Sequence, residues 1–81
     1  MVWIRTQDRK QLLTKIIKLS VSKNFGSKQK AVIMAEYESN SLFGNPQIAI
    51  GQFLTESAAL EELTHIEKFI DGNELGIYQV K

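Results

Sequence analysis

The chain has 81 residues, 43% of them hydrophobic, no cysteine and a formal net charge of +1. That length leaves room for one ordinary domain, residues 1–81, and the missing cysteine excludes disulfides and thiolate metal sites. No apolar run approaches the roughly 20 residues of a membrane span, and the opening Met1–Lys10 turns charged without the apolar stretch of a secretion signal, so a cytoplasmic protein is expected.

Val2–Gln7 alternates as a strand does, with Val2, Ile4 and Thr6 on one face and Trp3, Arg5 and Gln7 on the other. Leu13–Lys23 alternates again. Leu13, Ile17, Leu19 and Val21 point one way, and Thr14, Ile16, Lys18, Ser20 and Ser22 the other. After a turn-like stretch at 24–29, Lys30–Glu38 sets Ala31, Ile33, Ala35 and Tyr37 against Val32, Met34, Glu36 and Glu38. A second turn-like stretch, 39–46, leads into Gln47–Leu54, where Ile48, Ile50, Gln52 and Leu54 oppose Ala49, Gly51 and Phe53. Branched and aromatic side chains are frequent in all four segments, as pleated surfaces favour.

The period then changes. Thr55 is placed as an N-cap, and Glu56 sits where the helix dipole favours an anion. Ala59, Leu63, Ile66 and Ile70 recur at helical spacing, with Leu60 and Phe69 widening the stripe and Glu61, Glu62, Glu67 and Lys68 on the wet side. Gly72 reads as a left-handed C-cap. Ile77–Val80 can return as a fifth strand. The expected fold is therefore α+β, in the order β-β-β-β-α-β: an antiparallel meander of four or five strands with one C-terminal helix packed on one face. One helix cannot cover both faces of such a sheet. Trp3, Met34 and Phe53 are placed on the uncovered face, which predicts a homo-oligomer.

Eight of the ten Lys and Arg residues fall in positions 1–30 against Asp8 alone, a balance of +7, and positions 31–81 carry −6. The basic part can attract an anion. Trp3, Arg5 and Gln7 on one strand face offer a stacking plane, a planar fork that pairs phosphate oxygens, and a donor–acceptor edge. Lys18 and Lys28 add field, and Gly26–Lys30 can present backbone amides to an anion as well as form a plain hairpin tip. Leu42 and Phe43 beside the Gly44–Pro46 turn fold back on the core or meet a partner. His65 is the only histidine; with no cysteine beside it, it reads as a boundary residue of the helix rather than a zinc ligand. The pairs Glu36/Glu38 and Glu61/Glu62 read as solvated faces. No nucleophile motif surrounds any serine or threonine, so no enzyme activity and no cofactor are expected. Nucleic acid is disfavoured, since no recognition signature is present and the acidic part repels a long polyanion.

Trp3-Ile4-Arg5-Thr6-Gln7-Asp8 resembles the opening of short accessory proteins of Gram-positive bacteria and their phages, which begin Trp-Ile-Arg-Ser/Thr-Gln-Asp. The run Gly51–Ala59 is similar to their Gly-x-[Tyr/Phe]-x-[Thr/Ser]-x-x-x-Ala approach to a helix. The resemblance implies a Firmicute or phage accessory protein and carries over no catalytic residue. One class of small phage proteins counters host defence by sequestering nucleotide immune signals in basic, aromatic pockets between subunits. The expected function is accordingly non-enzymatic capture of a small phosphorylated, nucleotide-derived ligand by Trp3, Arg5, Gln7, Lys18 and Lys28, in a pocket shared between copies. The alternative is a small inhibitor that docks its basic N-terminal hairpin on an acidic partner protein.

Overall fold

The computed structural model describes residues 2–23, 31–39, 42, 44–72 and 75–81. In chain order the elements are β1 (Val2–Arg5), β2 (Leu12–Leu13), β3 (Ile16–Lys23), β4 (Ala31–Tyr37), β5 (Gln47–Phe53), α1 (Glu56–Gly72) and β6 (Gly76–Gln79). The class is α+β, with its helix near the C-terminus. The strands, however, divide between two ladders. β3, β4 and β5 form the expected antiparallel meander. β1 stands between β2, to which it is antiparallel, and β6, to which it is parallel.

The division has a local cause. Lys15 takes φ 57°, a left-handed conformation that an extended strand does not tolerate. It cuts the Leu13–Lys23 segment in two, sending Leu12–Leu13 to β1 and Ile16 onward to β4. The phase shifts as well. Ile16 pairs with Tyr37 and Lys18 with Glu36, which leaves Ile17 as an extra, bulged residue. Ile16 therefore packs against the core and Ile17 is exposed, the reverse of the simple alternation.

β4 keeps its sequence pattern on the core side, where Ala31, Ile33 and Ala35 are fully buried under α1, but Val32, expected on the opposite face, is buried as well. β5 carries a second bulge. Ile33 pairs with Gly51 and Met34 with Ala49, so Ile50 is the extra residue and enters the core. Beyond it the phase flips, and Phe53, expected on the uncovered face, packs against the core. A side chain at Gly51 would meet Val80 Cγ1 at 3.0 Å, so glycine here allows the two ladders to approach closely.

α1 is 17 residues long and begins as its sequence demands: the Ala58 amide donates to Thr55 Oγ1 at 3.0 Å. Its buried residues are Ala59, Glu62 and Ile66, so Glu62 leaves the wet side assigned to it. Gly72 is not left-handed; the positive φ belongs to Gly76, at 144°, where a side chain would press on the Phe69 ring. That ring packs on Tyr78 of β6, with centroids 5.4 Å apart. Ile4, Ile33, Ile50, Ile66 and Val80 are the large side chains most fully buried among the described residues. Each contributes about 1.5–3 kcal/mol by leaving water.

Gln7 joins the ladders. Its backbone amide donates to Ile50 O at 2.8 Å. Its side chain then acts as a second peptide group: Oε1 accepts from Gln52 N at 2.9 Å, and Nε2 donates to Gln52 O at 3.2 Å.

Candidate binding face

Alternation along β1 sends Ile4 into the core and Trp3 and Arg5 outward. Residues at matching register project to one side of a sheet, so Ile77 of β6 stands beside Trp3 and Leu12 of β2 beside Arg5. Trp3 is 38% exposed, Leu12 41% and Ile77 53%, values that leave a broad apolar surface in water around one guanidinium. Gln79, opposite Arg5, turns its amide away and donates to Thr6 O and Val80 O, both at 2.9 Å.

The turn after β1, which carries Arg9 and Lys10, has a fixed backbone. Thr6 Oγ1 donates to Asp8 Oδ1 at 2.6 Å, and the Lys10 amide donates to the same oxygen at 3.0 Å. Those two bonds hold the Asp8 carboxyl below its ordinary range, the hydroxyl contributing most. Arg9 takes φ 65°, and its amide donates back to Thr6 O at 2.8 Å. Arg9 and Lys10 are both exposed at the end of the face.

Of the five residues singled out in the sequence, the structure brings Trp3 and Arg5 together. Gln7 is engaged elsewhere: besides its two bonds to Gln52, Nε2 donates to Lys81 O at 3.0 Å, so both its donors are used within the fold. Lys18 lies on the other ladder, directly opposite Glu36, whose Oε1 also accepts from Gln47 Nε2 at 3.1 Å. Lys28, with the rest of the Gly26–Lys30 turn, lies outside the described residues, as does Phe43. Leu42 is exposed rather than folded onto the core.

Two residues of the face, Leu12 and Ile77, escape a sequence reading: the break at Lys15 gives Leu12 to a separate short strand antiparallel to β1, and nothing local announces that β1 pairs in parallel with β6. A third omission lies inside. Glu62 is 5% exposed and accepts from the Tyr78 hydroxyl at 2.9 Å and the Lys81 amide at 2.8 Å, both on Oε2; His65 Nδ1 lies 3.2 Å from Oε1. Burial, reinforced by this carboxylate, pushes the Tyr78 phenol well above its ordinary range. The signal was present: Ala59, Glu62 and Ile66 are spaced three and four apart, which puts the carboxylate within the apolar stripe.

Concavities lined by described residues flank this architecture. A groove of about 400 Å³ runs between α1 and β3, lined by Leu19, Leu63, Ile70, Glu67 and Asp71. A smaller one of about 120 Å³ lies where the Thr6–Asp8 segment meets β5. Neither is lined by Trp3 or Arg5. Among the described residues no group of three His, Asp or Glu side chains is placed to hold a metal, and no helix is long and apolar enough to cross a membrane.

Set against models of protein families, curated proteins and solved structures, the chain matches none.

Proposed function

We propose that this chain is a non-catalytic, cytoplasmic interaction module that docks the outward face of the β2–β1–β6 ladder on an acidic surface of a partner protein. The observation that carries this reading is the exposure of Trp3, Leu12 and Ile77 around Arg5. Aromatic and Arg side chains are the residue types on which binding energy concentrates. Arg9 and Lys10 add the positive field that steers such a face onto an acidic surface. The test is retention of a stoichiometric protein from host lysate by the wild-type chain and its loss from the Trp3→Ala and Arg5→Glu variants. Leu54→Ala, at an exposed site in the bend between β5 and α1, serves as the control that keeps the partner. Equal retention by Arg5→Glu removes the reading.

A second reading keeps the small phosphorylated, nucleotide-derived ligand, as in a phage protein that sequesters a bacterial immune signal. Trp3 and Arg5 on one face favour it, the indole stacking on a base and the guanidinium pairing with phosphate. Neither groove lined by described residues includes Trp3 or Arg5, so in this reading a second copy supplies the opposite wall. Incubation with cyclic nucleotides and ADP-ribose derivatives, followed by release on denaturation, tests it. Recovery from the wild type but not from Trp3→Ala is the expected result, and no recovery of any member at micromolar protein rejects it.

A further inference from the structure

The groove between α1 and β3 complements the binding face in both of its properties. Its floor is apolar, from Leu19, Leu63 and Ile70, and its rim is acidic, from Glu67 and Asp71. Its volume of about 400 Å³ falls within the range of roughly 300–1,000 Å³ that ordinary ligand sites occupy, enough for an indole. The last turn of α1 contains no basic residue. Asp71 therefore sits at the negative end of the helix dipole, where a cation is favoured and an anion weakens the helix. The one Lys of α1, Lys68, is exposed, and its helix neighbour Glu67 is part of the rim. An arrangement that disfavours the isolated helix is relieved by a cation brought from outside.

The binding face offers that cation within an apolar surround. A two-fold axis through the middle of this face would set Arg5 against Arg5, whereas an acidic surface elsewhere on the copy matches its charge. We propose that a second copy of this chain seats its Trp3–Arg5 face in the acidic groove between α1 and β3, head to tail. The inference rests on the binding-face reading and names one partner of that face. A contact of this kind is heterologous: every pair retains one free face and one free groove, so assembly proceeds past a dimer to a ring or a filament. An acidic partner protein then competes with the groove for the same face.

Light scattering across a concentration series tests this. The wild-type mass is expected to rise above that of a dimer at low salt. Its apparent association constant should fall by about tenfold or more between dilute and half-molar salt, since the charged rims are exposed and screened. Arg5→Glu, and separately the double variant Glu67→Lys/Asp71→Lys, are each expected to remain monomeric. Mixed in equal amounts they should assemble again, because the acidic face of one fits the basic groove of the other while the second contact of each pair is native. Asp71→Lys places a cation at the helix C-terminus, so the groove variant should melt no lower than the wild type, which separates lost association from lost folding.

If the groove variant assembles like the wild type while Arg5→Glu does not, the groove is wrong and the face stands. If Arg5→Glu and Trp3→Ala also assemble normally, the face falls with it. A wild-type chain that is monomeric at every concentration, or a mixture of variants that stays monomeric, overturns the head-to-tail contact alone.

Discussion

The two ladders hold together by different means. The β3–β4–β5 sheet is built from chain neighbours, paired backbone to backbone, with α1 laid over Ala31, Ile33 and Ala35. The β2–β1–β6 ladder is short and joins distant parts of the chain, and polar side chains stitch it in place: Gln7 to Gln52 and Lys81, Glu62 to Tyr78 and Lys81, Gln79 to Thr6. The ladder also shares the core, through Ile4, Leu13 and Val80; the side-chain bonds add to that packing in fixing its position, while Trp3, Leu12 and Ile77 on its outward side stay exposed. The lesson is that the region presenting the candidate site is the one held by side-chain hydrogen bonds, which are the easier to remove one at a time.

Glu62→Ala tests that contrast most severely. It leaves the Tyr78 hydroxyl and the Lys81 amide without their acceptor, and an expected loss of about 3 kcal/mol follows from the usual strength of buried bonds to a charged group. Denaturant unfolding measures the loss. Hydrogen exchange should show protection falling first in Gly76–Gln79 and last in Ala31–Tyr37; uniform loss across both ladders breaks the distinction. Gly51→Ala should lower stability by about 1–3 kcal/mol through overpacking, because Val80, 3.0 Å from the new methyl group, is buried and cannot yield. This substitution strikes the seam, so both ladders should lose protection together.

Gln7→Ala should cost about 1 kcal/mol, since water can replace the lost bonds at an exposed position. Gln7→Glu should be worse than Ala, because a carboxylate would face the carbonyl oxygens of Gln52 and Lys81. The smallest effect concerns pH. The folded state holds the Tyr78 proton more tightly than the unfolded chain does. Its contribution is complete below the ordinary phenol value of about 10 and is lost as pH rises above it. The denaturation midpoint should therefore start to fall near pH 10 and go on falling as the pH is raised further, and Tyr78→Phe should flatten that fall.

The same contrast explains what could be read in advance. The α+β class, the alternation of Ala31, Ile33 and Ala35, the Thr55 cap and the shared side of Trp3 and Arg5 are local patterns, and local patterns survive folding. The bulges at Ile17 and Ile50 depend on register with a partner strand, so period-two reading put Ile17 inside and Phe53 outside. The parallel pairing of β1 with β6 leaves no local mark, so Ile77 is not legible as part of the candidate face, and Leu12 joins it only because the break at Lys15 splits β2 from β3. Gln7 has the right type for a ligand-reading edge; its use as a substitute peptide group follows only from β5 lying beside it.

The hydrogen bond from Gln7 to Lys81 closes a span of 74 positions. Joining such distant segments is slow compared with zipping neighbours, since chain entropy must be surrendered before any contact rewards it. The chain has a single tryptophan, and it stands on β1 beside Ile77 of the arriving strand. The intrinsic fluorescence of that one indole therefore times the docking of β6 during refolding, without any attached label.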